Sequence, residues 1–181
     1  MGQQGGRPHR EVALISESKS SRMSYPHKLS AIIELFAGLS DAEKRETLIS
    51  YADQARLQEP KEGEHFDLED VRKDEECTDT VAVFLRLDEK GGGHFRVTLG
   101  PQVQTLTRAM SSILCKGLDG ITPADVLSIP ADFVPKIVGV ELVRLRSQTV
   151  YYLLTRMKGV AKVWLQRQRQ SSLEKDDAVS E

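Results

Sequence analysis

Cysteine is almost missing from this 181-residue chain, which holds only Cys77 and Cys115. Two thiols are too few for the disulfide framework of a small secreted domain, and they lack the paired spacing of a structural zinc site. A reducing compartment, the cytoplasm, is the expected location. Long apolar runs are also missing: nothing approaches the ~20 residues that cross a bilayer, so no membrane protein is expected. Charge of one sign is not in excess either. The 25 Lys+Arg stand against 27 Asp+Glu for a formal net charge of −2, which excludes the broad positive field of a nucleic-acid binder. No GxxxxGK[ST], HExxH or GxSxG occurs, so phosphate-loop, zincin and serine-hydrolase chemistry have no support. What remains is an ordinary soluble composition, 39% hydrophobic and 29% charged, long enough for one domain plus tails.

Residues 1–24 are rich in Gly, Ser and Gln, without apolar periodicity, and read as a disordered tail. The folded pattern starts just after Met23, which is expected to be the true start. Residues 25–165 form the domain. Leu29, Ile32, Ile33, Leu35 and Phe36 give a first amphipathic helix ending at Gly38, and Ser40 with Glu43 forms a capping box opening a second, whose buried face is Leu48, Ile49, Ala52, Ala55 and Leu57. An acidic loop from Gln58 to Glu76 follows. Thr80 to Leu87 and His94 to Leu99, joined by a DEKGGG turn, read as a hairpin. A lone hairpin is marginal, so a third strand is expected near Phe66 to Arg72, which places Cys77 on a connection between strands. Gly100 and Pro101 open the next helix, with Val103, Leu106, Met110, Ile113 and Leu114 as its stripe. Thr122 caps a short turn led by Pro123. From Leu145, Val150, Leu153, Leu154, Met157, Val160, Ala161 and Trp164 keep helical spacing. Residues 166–181 lose that stripe and read as a second disordered tail. The fold class is therefore α+β, a small antiparallel sheet of about three strands covered by helices in a single domain.

Four histidines and two cysteines carry the candidate chemistry. Glycines 91–93 read as a flexible hairpin tip, since they do not lie between a strand and a helix as a phosphate loop must. Cys77 ends a polar loop just before a strand, where a thiol can be presented. Its neighbours Asp74, Glu75, Glu76 and Asp79 would raise its pKa and suppress the thiolate. Cys115 sits beside an apolar stripe and reads as a packing residue. Cys77 with His65 or His94 is the one available Cys/His pair, which keeps a cysteine-dependent hydrolase among the alternatives. Arg146, at the start of the last helix, reads either as a solvated cation or as one presented to a nearby anion.

Cys77 before TDTVAVFL, Gly100 opening GPQVQTLTRAM, the turn Thr122-Pro123-Ala124-Asp125-Val126, and Arg146-Ser147-Gln148 follow one another in an order that resembles the SufE-like sulfur acceptors of iron–sulfur cluster assembly. The resemblance runs from Pro26 to about Ala161. The chain departs from the family in Glu75-Glu76 before the cysteine, Thr78-Asp79 after it, Ala82 near the place of a tryptophan, Ala109 after Arg108, and Thr149 at a usual glycine. The resemblance implies a SufE/NifU-like fold and a sulfur carrier. Cys77 would accept persulfide sulfur from a SufS-like cysteine desulfurase, stimulate that enzyme and pass sulfur to a downstream Fe–S scaffold. It further implies that the partner, not this chain, carries pyridoxal phosphate, that no cofactor or metal is held here, and that the protein is a carrier and activator rather than a free-standing enzyme. Arg146 would stabilise the thiolate or persulfide or touch the partner. A noncatalytic module binding the desulfurase or scaffold is the alternative.

Overall fold

Alternation along TVAVFLRL and GHFRVTL sends Val81, Val83, Leu85, Phe95 and Val97 to one side of a pleated sheet, and all five are buried. A computed structural model describes residues 25–73 and 80–178. Its three strands, β1 (Leu68–Lys73), β2 (Thr80–Leu87) and β3 (Gly93–Leu99), form one antiparallel sheet in the order β1-β2-β3. The expected third strand is thus present. In register, Leu68 faces Leu85, Leu85 faces Phe95 and Val83 faces Val97, so a continuous apolar row crosses the sheet.

Helices supply the other layer: α1 (His27–Ala37), α2 (Asp41–Asp53), α3 (Thr105–Gly117), α4 (Pro123–Ser128), α5 (Val134–Val138) and α6 (Val140–Ala178). The capping box opens α2 as its sequence dictates: Ser40 Oγ accepts from the Glu43 N–H while the Glu43 carboxylate accepts from the Ser40 N–H. Thr122 caps α4 singly, its Oγ1 accepting from the Asp125 N–H, with Pro123 in the first turn. Central α3 is buried on most sides, its Met110, Ile113 and Leu114 fully enclosed. Phe36, Phe95 and Phe133 fill the remaining core.

Four expectations change. Leu35, Ile49 and Leu57, assigned to buried faces, are exposed. The second helix ends at Asp53 and passes into a 3-10 turn, Gln54–Gln58, and that tighter winding rotates Leu57 out of the stripe. The third helix begins at Thr105, not at Gly100 and Pro101, because the Arg108 side chain donates to the carbonyls of Gly100, Pro101 and Val103 and holds those residues as a turn. The last helix does not stop near Trp164. It continues to Ala178, carried by the helix-favouring run of Leu, Gln, Arg, Glu and Lys although the apolar stripe has ended. Residues 1–24 lie outside the described residues.

The glycine-rich tip of the β2–β3 hairpin is pinned. Gly93 N–H donates to the Ile121 carbonyl at 2.7 Å, Gly120 N–H donates back to the Gly93 carbonyl at 2.9 Å, and a Cβ on Gly92 would lie 2.9 Å from the Gly120 carbonyl oxygen. Next to this contact, the two ring nitrogens of His94 meet Asp119 at 2.7 Å and Asp88 at 3.1 Å. Burial opposes ionisation of Asp119, but hydrogen bonds from Lys28 and His94 outweigh it and hold its carboxyl below the usual range. A depressed carboxyl pKa stabilises the fold above the unfolded value of ~3.9, and that stability is lost as pH falls through the folded value. Asp119→Asn is therefore expected to lower the urea midpoint at pH 7 and to show a smaller gap to wild type near pH 3, below the unfolded value of ~3.9. An equal gap at both pH values would contradict this.

Candidate functional site

Residues 74–79, among them Cys77, join β1 to β2 and lie outside the described residues. The ends of that segment are well defined. Lys73 and Thr80 are register partners, so the connection leaves and re-enters the sheet at one point on its rim. Gly100 N–H donates to the Thr80 carbonyl, joining the same point to the turn that Arg108 organises.

Arg156 of α6 fixes the strand pair just inside this rim. It is 7% exposed. Its Nε donates to Asp70 Oδ2 at 2.8 Å, Nη2 to the Asp70 and Val81 carbonyls at 2.8 and 3.3 Å, and Nη1 to the Tyr152 hydroxyl at 2.7 Å. One side chain thereby ties together a helix and both strands that carry the Cys77 segment. The pleat explains why: Asp70 is in register with Val83 and projects to the helix-covered side, while Val71 faces solvent. Arg72 adds a 2.7 Å contact to the other Asp70 oxygen. Sequence reasoning misses this pair, since 86 residues separate its members and neither stands in a motif.

Arg146 interrupts α6. Its φ of −139° and ψ of 36° are non-helical, so a leading turn precedes the long arm of the helix, and the expectation that the long helix opens here corresponds to this break. The side chain is exposed and has no hydrogen bond or ion pair among the described residues. Its relation to Cys77 lies outside the described residues.

Cys115 is 3% exposed on α3, and burial pushes its thiol up to about 12. It packs, as its place beside the apolar stripe predicts. His65 is exposed, whereas each ring nitrogen of His94 is engaged by a carboxylate, of Asp119 and of Asp88. Among the described residues no cluster of His, Cys, Asp and Glu could hold a metal ion, and no helix is long and apolar enough to cross a membrane.

Two solved structures share this fold. A hypothetical protein from Thermus thermophilus superposes with a TM-score of 0.57 at 23% identity, covering 79% of this chain and 99% of its own. The N-terminal part of a nitrogen-fixing NifU-like protein from Brucella abortus gives 0.51 at 14% identity, covering 68% and 96%. These likenesses establish an α+β, SufE/NifU-like fold in a single domain. A search of curated proteins returned no significant match. The family profile SufE, described as the Fe-S metabolism associated domain, matches residues 30–161, a span that includes the Cys77 segment, Arg108, Arg146 and Arg156; the chain belongs to the SufE family and is involved in Fe–S metabolism.

Proposed function

We propose that this protein is a cytoplasmic sulfur carrier of iron–sulfur cluster assembly, taking persulfide sulfur on Cys77 from a pyridoxal-phosphate cysteine desulfurase, stimulating its turnover and passing sulfur to a scaffold. The observation that carries this reading is the family match over residues 30–161 combined with the burial of Cys115, which leaves Cys77 as the thiol to receive sulfur. In the transfer, the Cys77 thiolate attacks the terminal sulfur of the enzyme persulfide. A new S–S bond forms on Cys77, the old one breaks, and the desulfurase cysteine leaves as a thiolate, so no external oxidant or reductant enters. The acidic flank of Cys77 disfavours its thiolate in the free protein. Cationic groups such as Arg146, Arg72 or those of the partner would then activate it on docking.

The test is intact mass after incubation with a cysteine desulfurase and L-cysteine. Wild type and Cys115→Ser are expected to gain one sulfur that reductant removes, and Cys77→Ser to gain none. Sulfur loading that survives Cys77→Ser would overturn the assignment. Desulfurase stimulation that survives it without loading would instead make the protein a binding module.

A further inference from the structure

On α1, α2, β3 and α3, a surface cleft of about 650 Å³ opens, with Gln58, Tyr51, Arg96 and Lys116 among its lining residues. Its size is that of a small-molecule site. We propose that it binds a small organic carboxylate, held by charge from Arg96 and Lys116 and by hydrogen bonds to Gln58 and Tyr51. The proposal is independent of sulfur transfer at Cys77.

The first support is Gln58. It is only 8% exposed, yet its side-chain amide has no hydrogen-bond partner among the described residues, and it lines the cleft. Among the described residues the buried side-chain N or O atom without a hydrogen bond is Ser112 Oγ, so the Gln58 amide atoms are open to the water of the cleft, where they can receive a polar group without giving up a bond to the protein. The Tyr51 hydroxyl likewise has no partner among the described residues. The second support is uncompensated positive charge. Lys116 Nζ donates to the Gln54 amide oxygen and lies 5.0 Å over the Tyr51 ring, with no carboxylate within ion-pair distance among the described residues. Arg96 uses Nε on Glu64 at 3.3 Å and leaves both terminal nitrogens unpartnered among the described residues, the planar fork that matches two carboxylate oxygens.

The nearby acids set the ligand's charge. Glu64 is engaged by Arg96 and the Lys61 N–H, and Asp119 by Lys28 and His94. Two cations with open valence beside two carboxylates suit a monoanion, whereas a phosphate dianion meets repulsion from both. An amide or hydroxyl elsewhere on the ligand would satisfy Gln58, which can donate and accept. Cys115 lines the same cleft but stays protonated and contributes apolar surface.

Calorimetric titration of the full chain tests this with N-acetylglycine as probe, N-acetylglycinamide as its neutral counterpart and inorganic phosphate as the rival anion. N-acetylglycine is expected to bind saturably, the neutral amide not. Lys116→Gln is expected to weaken binding about tenfold, the loss of one charge-assisted hydrogen bond. Gln58→Met is expected to weaken it too, because the side chain keeps its length and loses both its donor and its acceptor. Absence of saturable binding up to about 50 mM, a threshold well beyond millimolar affinity, would overturn the proposal. So would equal binding of the neutral amide, tighter binding of phosphate, or unchanged affinity in both variants.

Discussion

Arg156→Met is expected to destabilise the protein by about 3 kcal/mol, the low end for breaking a buried ion pair. The pair's own attraction is not the source of that loss. Removing the guanidinium strands Asp70, whose side chain is 18% exposed, and leaves the Asp70 and Val81 carbonyls without their side-chain donor. Arg72 still reaches the second carboxylate oxygen, which keeps the effect from the top of the range. In urea the midpoint should fall by more than about 1 M, given a slope of roughly 1 to 3 kcal/mol/M. Adding Asp70→Asn to Arg156→Met should recover part of the loss, since the uncompensated charge is then gone. A midpoint within about 0.3 M of wild type, small on that slope, would show that Arg156 is dispensable. Because Arg156 grips both strands beside the Cys77 segment, Arg156→Lys, which keeps the charge but not the fork, should reduce sulfur loading more than stability.

Alkylation of Cys115 should be slower in the native protein than in the unfolded chain by about a thousandfold or more. The thiolate is the reactive species, and a thiol pushed up to about 12 has on the order of a thousandth of the thiolate of an ordinary cysteine near ~8.5 at neutral pH. Burial restricts reagent access further. The measurement is iodoacetamide labelling of a Cys77→Ser protein, where Cys115 is the one thiol left, with and without urea. Native labelling within about tenfold of the unfolded rate, far less than this pKa difference allows, would mean that α3 opens readily. Cys115 would then return as a candidate for sulfur chemistry.

What the sequence makes legible is what depends on neighbours in the chain. Ser40 and Glu43 stand three residues apart, so their reciprocal cap can be read directly. The β2–β3 hairpin follows from alternation and a glycine turn, and β1 from the energetic need for a third strand. Leu57 escapes such a reading because a helical stripe says nothing about where α-helix tightens into 3-10 turn. The start of α3 escapes it for a related reason: Pro101 suits a first helical turn, but Arg108, seven residues on, binds the carbonyls that would have begun it. Asp70 and Arg156, and the cleft residues Tyr51, Gln58, Arg96 and Lys116, meet only in three dimensions. Asp70 reads as one charge among many in an acidic stretch, and only its register opposite Val83 reveals that it points inward.

Three consecutive glycines usually advertise slack, the kind of hairpin tip where a tag or a guest domain is spliced in without harm. Here Gly92 and Gly93 do the opposite. Their missing side chains let the tip lie against Gly120 and Ile121, so a spliced sequence there would unfasten the hairpin from the α3–α4 turn. A fluorescent or affinity insertion belongs instead at the solvent-exposed turn around Gly63, where a Cβ would meet nothing.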